Sequence, residues 1–182
     1  MGRGMTDEDR VWRERGLRDA VRAADERAWQ TLYDESFTAL DAYVLWRCGG
    51  LRDWADDVLQ DTWLIAVRRV ADFDPIRAPF VGWLRGIAGN VLRNRLRKVR
   101  HTHALPDDVP APDDRIRREL SERIATALAS LPIHYEDVLR AKYVERKSVA
   151  EIAAERMDTE KAMESLLTRA RIAFRTAYGS DE

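Results

Sequence analysis

The sequence predicts an all-α fold of two small helical modules joined by an acidic, proline-containing linker. Three observations carry this. Apolar residues recur at helical spacing along most of the chain. No convincing alternating run and no Asn-Gly or Asp-Gly turn marks a hairpin. From His101 to Asp114 the composition shifts to three prolines and four aspartates with few large apolar residues, the signature of an extended tether. The 182 residues suffice for one ordinary domain or two small ones, and modules this small bury a thin core. The expected modules run over 27–100 and 118–182, with the linker at 101–117. The N-terminal segment, 1–26, matches no usable pattern.

Each element has a local cause. Trp29, Leu32, Tyr33, Phe37, Leu40, Tyr43 and Val44 recur at helical spacing between Asp25 and Arg47. Gly49-Gly50 ends that helix, because glycine takes the left-handed cap conformation at little cost. A second helix is expected from Asp53 to about Ala71, with the stripe Leu59, Trp63, Ala66 and Val70, and with Val58, Thr62 and Ile65 beside it. Pro75 and Pro79 make Phe73–Pro79 a loop. A third helix follows from Phe80 to about Arg100, its apolar side formed by Trp83, Leu84, Ile87, Ala88, Val91 and Leu96.

Beyond the linker, Arg115–Ser130 carries the stripe Ile116, Leu120, Ile124, Ala127, Leu128 and, just past it, Leu131. Pro132 starts the next helix. Ser148-Val-Ala-Glu151 has the capping-box pattern and opens a short helix to about Arg156. After a turn at Met157-Asp158, a longer helix begins at Asp158 or Thr159 and runs to about Tyr178, with Met163, Leu166, Leu167, Ala170, Phe174 and Ala177 as its stripe. A short helix, a tight turn and a longer helix suggest a helix-turn-helix.

Charge narrows the function. The formal net charge is −1. Yet Ile76–Arg100 holds seven basic residues (Arg77, Arg85, Arg93, Arg95, Arg97, Lys98, Arg100) and no acidic one. Just upstream stand Asp53, Asp56, Asp57 and Asp61. A neutral whole with a basic block indicates a local polyanion contact; a solvated helix face is the competing reading. One cysteine, Cys48, excludes an intramolecular disulfide and reads as a small packing residue. The chain has no apolar run long enough to span a bilayer and no secretion signal, so a cytoplasmic location is expected. His101-x-His103 lacks further ligands, and neither metal nor cofactor is expected.

Several stretches together resemble a known family. Trp29-Gln-Thr-Leu-Tyr33, Ala55-Asp-Asp-Val-Leu-Gln-Asp-Thr-Trp63, Phe73-Asp-Pro75, Phe80-Val-Gly-Trp-Leu-Arg-Gly-Ile-Ala-Gly-Asn90 and Arg95-Leu-Arg97 resemble the second sigma region of extracytoplasmic-function sigma factors of bacterial RNA polymerase. Leu131-Pro132, Ala150-Glu-Ile-Ala153 and Leu167-Thr-Arg-Ala-Arg171 resemble their fourth region, in the same order.

The resemblance implies a polymerase specificity subunit rather than an enzyme. Its partners would be core RNA polymerase and promoter DNA, both duplex and single-stranded, and it leaves room for an anti-sigma factor. The resemblance assigns Asp57, Gln60 and Asp61 to docking on core polymerase. It assigns the proline loop and third helix to the minus-ten element: Phe73, Phe80 and Trp83 as aromatic platforms, Asn90 as a base reader, and Arg77, Arg85, Arg93, Arg97 and Lys98 on phosphates. Core packing of Phe80 and Trp83 and a plain surface amide at Asn90 remain open. The helix-turn-helix would read the minus-thirty-five element with Lys161, Glu164, Ser165, Thr168, Arg169, Arg171 and Arg175, Ile172 lying at the edge of that face and Leu166 turned inward.

This chain departs from the family at Gly86, Gly89 and Asn94, and at Glu164-Ser165-Leu166, where a Lys-Ser-Arg run is common. Asp107, Asp108, Asp113 and Asp114 would mimic phosphate within polymerase channels or serve as an ordinary tether. Two other classes compete. A stand-alone helix-turn-helix regulator would bind duplex DNA without polymerase, and a magnesium enzyme would use the aspartates of Asp56–Asp61.

Overall fold

The computed structural model describes residues 6–102 and 112–179, with the backbone alone at 99–102 and 112–113. Among these residues the secondary structure is helical, with no strand: α1 (Asp7–Arg22), α2 (Glu26–Arg47), α3 (Arg52–Arg69), a single 3₁₀ turn (Val70–Asp72), α4 (Phe80–Thr102), α5 (Pro112–Ser130), α6 (Ile133–Tyr143), α7 (Val149–Glu155) and α8 (Glu160–Gly179). The chain divides into two compact units. Met1–Val44 with Asp53–Arg95 form one, and Leu45–Arg52 with Leu96–Glu182 form the other. His103, Asp107 and Asp108 lie outside the described residues, as do the side chains of Arg100, His101 and Asp113.

Helix α1 has no counterpart in the sequence expectations. It starts with a capping box, in which the Asp9 N–H donates to Thr6 Oγ1 at 3.1 Å and the Thr6 N–H donates to Asp9 Oδ2 at 3.1 Å. Donation from the Thr6 hydroxyl at 2.7 Å, and then from its backbone N–H, holds the Asp9 carboxyl below its ordinary value. Asp25 Oδ1 caps α2 by accepting from the N–H groups of Arg27 and Ala28 at 2.9 and 3.3 Å. The core of the first unit is built by Ala28, Leu32, Leu40, Tyr43 and Val44 of α2, Ala55, Val58, Leu59 and Ala66 of α3, and Leu84, Ala88, Val91 and Leu92 of α4.

The second unit closes over Val138, Leu139 and Ala141 of α6, Ile152 and Ala153 of α7, and Met163, Leu167 and Ala170 of α8. Leu166 is half-buried against this cluster. Ile116 and Leu120, expected in the α5 stripe, are exposed, so only the C-terminal half of that stripe is packed. Within this unit the Arg47 guanidinium and Glu136 carboxylate form a buried ion pair at 3.0 Å. Among the described residues no helix is long and apolar enough to cross a membrane.

Three helices end the same way. After α1, the Asp25 N–H donates to Ala20 O and the Ala24 N–H to Val21 O. After α2, Gly50 and Gly49 donate to Leu45 O and Trp46 O. After α7, Asp158 and Met157 donate to Ala153 O and Ala154 O. Each is a Schellman closure around one left-handed residue: Ala24 (φ 65°), Gly49 (φ 63°) and Met157 (φ 52°). Only Gly49 carries the residue that this conformation favours. It has a second reason to be glycine, since a Cβ there would stand 2.7 Å from the Ser121 backbone.

Two predictions follow from these ends. Met157 is 95% exposed, so its side chain gains no packing that offsets its left-handed backbone. Met157→Gly removes a steric cost of about 1 kcal/mol, whereas a β-branched valine adds to it. Thermal unfolding should rank the glycine variant above the valine variant. The second concerns acid. Glu151 accepts from the Ser148 N–H at 2.7 Å, and the Ser148 backbone and hydroxyl hold its carboxyl below its ordinary value. A depressed folded-state value means that the cap's contribution is complete above the unfolded value and disappears as pH falls through the folded one. The wild-type chain should therefore lose stability between about pH 5 and pH 3 more steeply than Glu151→Gln, measured by urea unfolding at each pH.

Candidate functional site

The loop Phe73–Pro79 and the start of α4 are set by an aromatic cluster. Phe73 and Phe80 meet edge to face at 5.1 Å between ring centroids, and Trp83 lies 5.6 Å from each. Trp29 approaches Phe80 at 6.4 Å and Trp63 at 6.1 Å, and Trp63 stacks obliquely on Tyr33 at 4.6 Å. Such geometry adds about 0.5–1.5 kcal/mol per pair beyond area burial.

The cluster corrects two assignments. Phe73 and Phe80 are only 1% and 2% exposed. They are core residues, not platforms for a base, because α4 turns the Phe80–Leu84–Ile87 face inward. Trp83, one turn further, is half-buried and keeps an edge in solvent.

The crest of the loop, Ile76 and Arg77, is exposed. Asp74 Oδ1 accepts from the Ile76 N–H at 3.1 Å, and Arg77 extends into solvent beside Asp74 at 3.3 Å. Along α4, Asn90, Arg93, Arg97 and Lys98 are exposed, and the Asn90 Oδ1 accepts from Arg93. Arg85 is half-buried, its guanidinium 5.5 Å from the centre of the Tyr43 ring. Gly86 lies open to solvent, whereas Gly89 is buried near the Tyr43 hydroxyl with room for a Cβ in ordinary contact. The α4 surface thus offers cations, the amides of Asn90 and Asn94, and part of one indole.

Arg95 behaves differently from its basic neighbours. It donates to Asp57 Oδ2 at 3.0 Å and to Asp61 Oδ2 at 2.6 Å. Its partial burial opposes its charge, and the two carboxylates more than offset this, raising its pKa. One guanidinium therefore joins α4 to the acidic face of α3. Gln60 is exposed beside the pair. Leu64 and Val67 continue the same face at 51% and 55% exposure. Sequence reasoning missed them, although both fall outside the inward stripe Leu59, Trp63, Ala66 and Val70.

In the second unit the Ser148 box caps α7 and Thr159 caps α8, accepting from the Ala162 N–H at 3.2 Å. Lys161, Glu164, Ser165, Thr168, Arg169, Ile172 and Arg175 are exposed on α8. The Thr168 hydroxyl donates back to the Glu164 carbonyl at 2.9 Å. Arg171 turns away from that face. Its Nε donates to the Tyr143 hydroxyl at 2.8 Å, and its guanidinium lies 5.8 Å from the ring centre. This contact ties Arg171 to α6.

Comparison with known proteins identifies both regions of the chain. The family model described as Sigma-70 region 2 matches residues 40–102, and that described as Sigma-70, region 4 matches residues 121–174. The chain is 30% identical over 142 residues to the RNA polymerase sigma factor CnrH of Cupriavidus metallidurans, covering 69% of this chain and 74% of CnrH. It is 30% identical over 158 residues to the ECF RNA polymerase sigma factor SigL of Mycobacterium tuberculosis, covering 80% of this chain and 85% of SigL. A solved complex of CnrH with the cytosolic domain of CnrY superposes with a TM-score of 0.49 at 27% identity, covering 93% of this chain and 99% of that one. With both regions matched in chain order and relatives aligned along most of their length, this chain belongs to the extracytoplasmic-function sigma factors of bacterial RNA polymerase.

Proposed function

We propose that this chain docks on core RNA polymerase through α3, holds the unpaired minus-ten strand on the loop and α4, and reads the minus-thirty-five element with α8. Polymerase performs the phosphoryl chemistry, and this chain supplies recognition. The observation that carries the reading is segregation of charge on the first unit. There the exposed face of α4 presents Asn90 and Arg93, with Arg97 and Lys98 following along the same helix, while α3 presents Asp57, Gln60 and Asp61.

Each surface has a distinct task. Arginine and lysine on phosphates supply affinity without sequence information. The half-buried indole of Trp83 offers a partly accessible ring face on which a base can stack, worth about 1–3 kcal/mol. The Asn90 carbonyl oxygen already accepts from Arg93, and its N–H₂ is left to meet a base edge. Phe73 and Phe80 fix the loop from beneath. On α3, Asp57 and Asp61 complement a basic partner helix and set its register, while Leu64 and Val67 add apolar contact. On α8, Lys161, Glu164, Ser165, Thr168, Arg169 and Arg175 face the groove. The region-two work falls within 27–100 and the region-four work within 118–182.

Promoter-specific transcription should appear only when the chain is added to core polymerase. Failure to bind core under conditions where another sigma factor does would sink the reading, and duplex binding by the free chain alone would favour a stand-alone regulator. Joint replacement of Asp57 and Asp61 by alanine should weaken core binding by about tenfold or more, a loss above about 1.4 kcal/mol. Trp83→Ala and Asn90→Ala should impair promoter opening, read by permanganate reactivity of unpaired thymines, more than core binding. Phe73→Ala should reduce both together, because removing a buried phenyl ring costs about 3–5 kcal/mol of fold stability.

A further inference from the structure

We infer that α1 is a positioning element for the strand-holding loop, with Glu14 as its central residue. This rests on the reading of the loop and α4 as the surface for unpaired promoter DNA. It adds the device that presets the loop before DNA arrives.

Pro75 and Pro79 have no N–H to donate, and Pro79, immediately before α4, has no side-chain acceptor for the first turn of that helix. Asp74 organises only its own turn, through the Ile76 and Arg77 N–H groups at 3.1 Å each. The Phe73 carbonyl, the Pro75 carbonyl and the Phe80 N–H find partners elsewhere, and all three partners are on α1.

Arg18 Nη1 donates to Phe73 O at 3.1 Å, Arg10 Nη1 donates to Pro75 O at 3.2 Å, and the Phe80 N–H donates to Glu14 Oε1 at 3.1 Å. Arg10, Glu14 and Arg18 are spaced four residues apart and so share one face of the helix. Glu14 is thus an N-cap for α4 delivered from another helix. Its second oxygen accepts from Arg10 Nη1 at 2.8 Å, which joins two of the three anchors. Both side chains are mostly buried, at 12% and 17% exposure. An ion pair between Arg13 and Glu35 ties α1 to α2.

The loop is therefore held at both ends by buried rings and along its backbone by α1, while Ile76, Arg77 and Pro79 stay exposed at its crest. A loop fixed this way does not pay for its own ordering when a strand binds. Glu14 touches no DNA in this scheme and acts through the loop.

The test uses holoenzyme reconstituted from core polymerase and each chain variant. The probe is a fluorescent single-stranded oligonucleotide carrying the non-template minus-ten segment of a promoter mapped with wild-type holoenzyme. Core binding is measured in parallel. Glu14→Ala should bind the oligonucleotide about tenfold more weakly, as expected for one lost charge-assisted hydrogen bond, with core affinity unchanged. Glu14→Gln keeps an acceptor for the Phe80 N–H and should stay near wild type, as should Glu8→Ala on the exposed side of α1.

Wild-type oligonucleotide affinity in Glu14→Ala, or a glutamine variant as weak as the alanine one, overturns the inference. Equal loss of core and oligonucleotide binding in Glu14→Ala marks a folding defect. Arg18→Met, which keeps the aliphatic stem, then decides: selective loss of oligonucleotide binding supports the positioning role, and any other result overturns it. Trp83→Ala separates the two layers. If it weakens oligonucleotide binding and Glu14→Ala does not, only the role of α1 is wrong. If neither does, the reading of the α4 surface falls and takes this inference with it.

Discussion

Burial of two phenylalanine rings on either side of a proline loop is the constraint from which the first unit's surface follows. Phe73 and Phe80 meet beneath the loop, and Trp29 and Trp83 meet Phe80 there too. With Phe80 inward, the helical repeat directs Leu84, Ile87 and Val91 inward as well. Asn90 and Arg93 then fall on the exposed side of the helix. A base-holding surface needs a rigid floor and an accessible edge, and one cluster supplies both.

Polar side chains complete what the rings begin. Buried rings alone leave the loop's carbonyls and the first N–H of α4 to be satisfied, and such groups cost about 1–3 kcal/mol each if buried without partners. Helix α1 meets them with two guanidinium groups and a carboxylate. This explains a helix whose sequence is so charged. Its docking is carried by hydrogen bonds to the loop backbone.

That same chemistry explains what the sequence could and could not disclose. Helices α2 to α4 and the helix-turn-helix were legible because their stripes, the double glycine and the Ser148–Glu151 box follow local rules. Helix α1 was illegible because Arg10, Glu14 and Arg18 produce no apolar period, and its box closes with Asp9 rather than the longer glutamate. The roles of Phe73, Phe80 and Trp83 were confused for another reason. All three flank one loop, and only packing decides which rings lie underneath. The α5 stripe was overextended because periodicity says that Ile116 and Leu120 share a face, not that anything covers them. The bond from Arg171 to Tyr143 joins residues 28 apart on two helices, which periodicity along α8 does not reveal.

Arg95 carries a mechanical meaning as well as an electrostatic one. Because a single guanidinium is shared by two carboxylates on the neighbouring helix, α3 and α4 cannot roll independently about their long axes. If α3 is the docking face and α4 the strand-holding one, as proposed, strain at the first is handed to the second, and attachment and strand capture are geared together through one side chain.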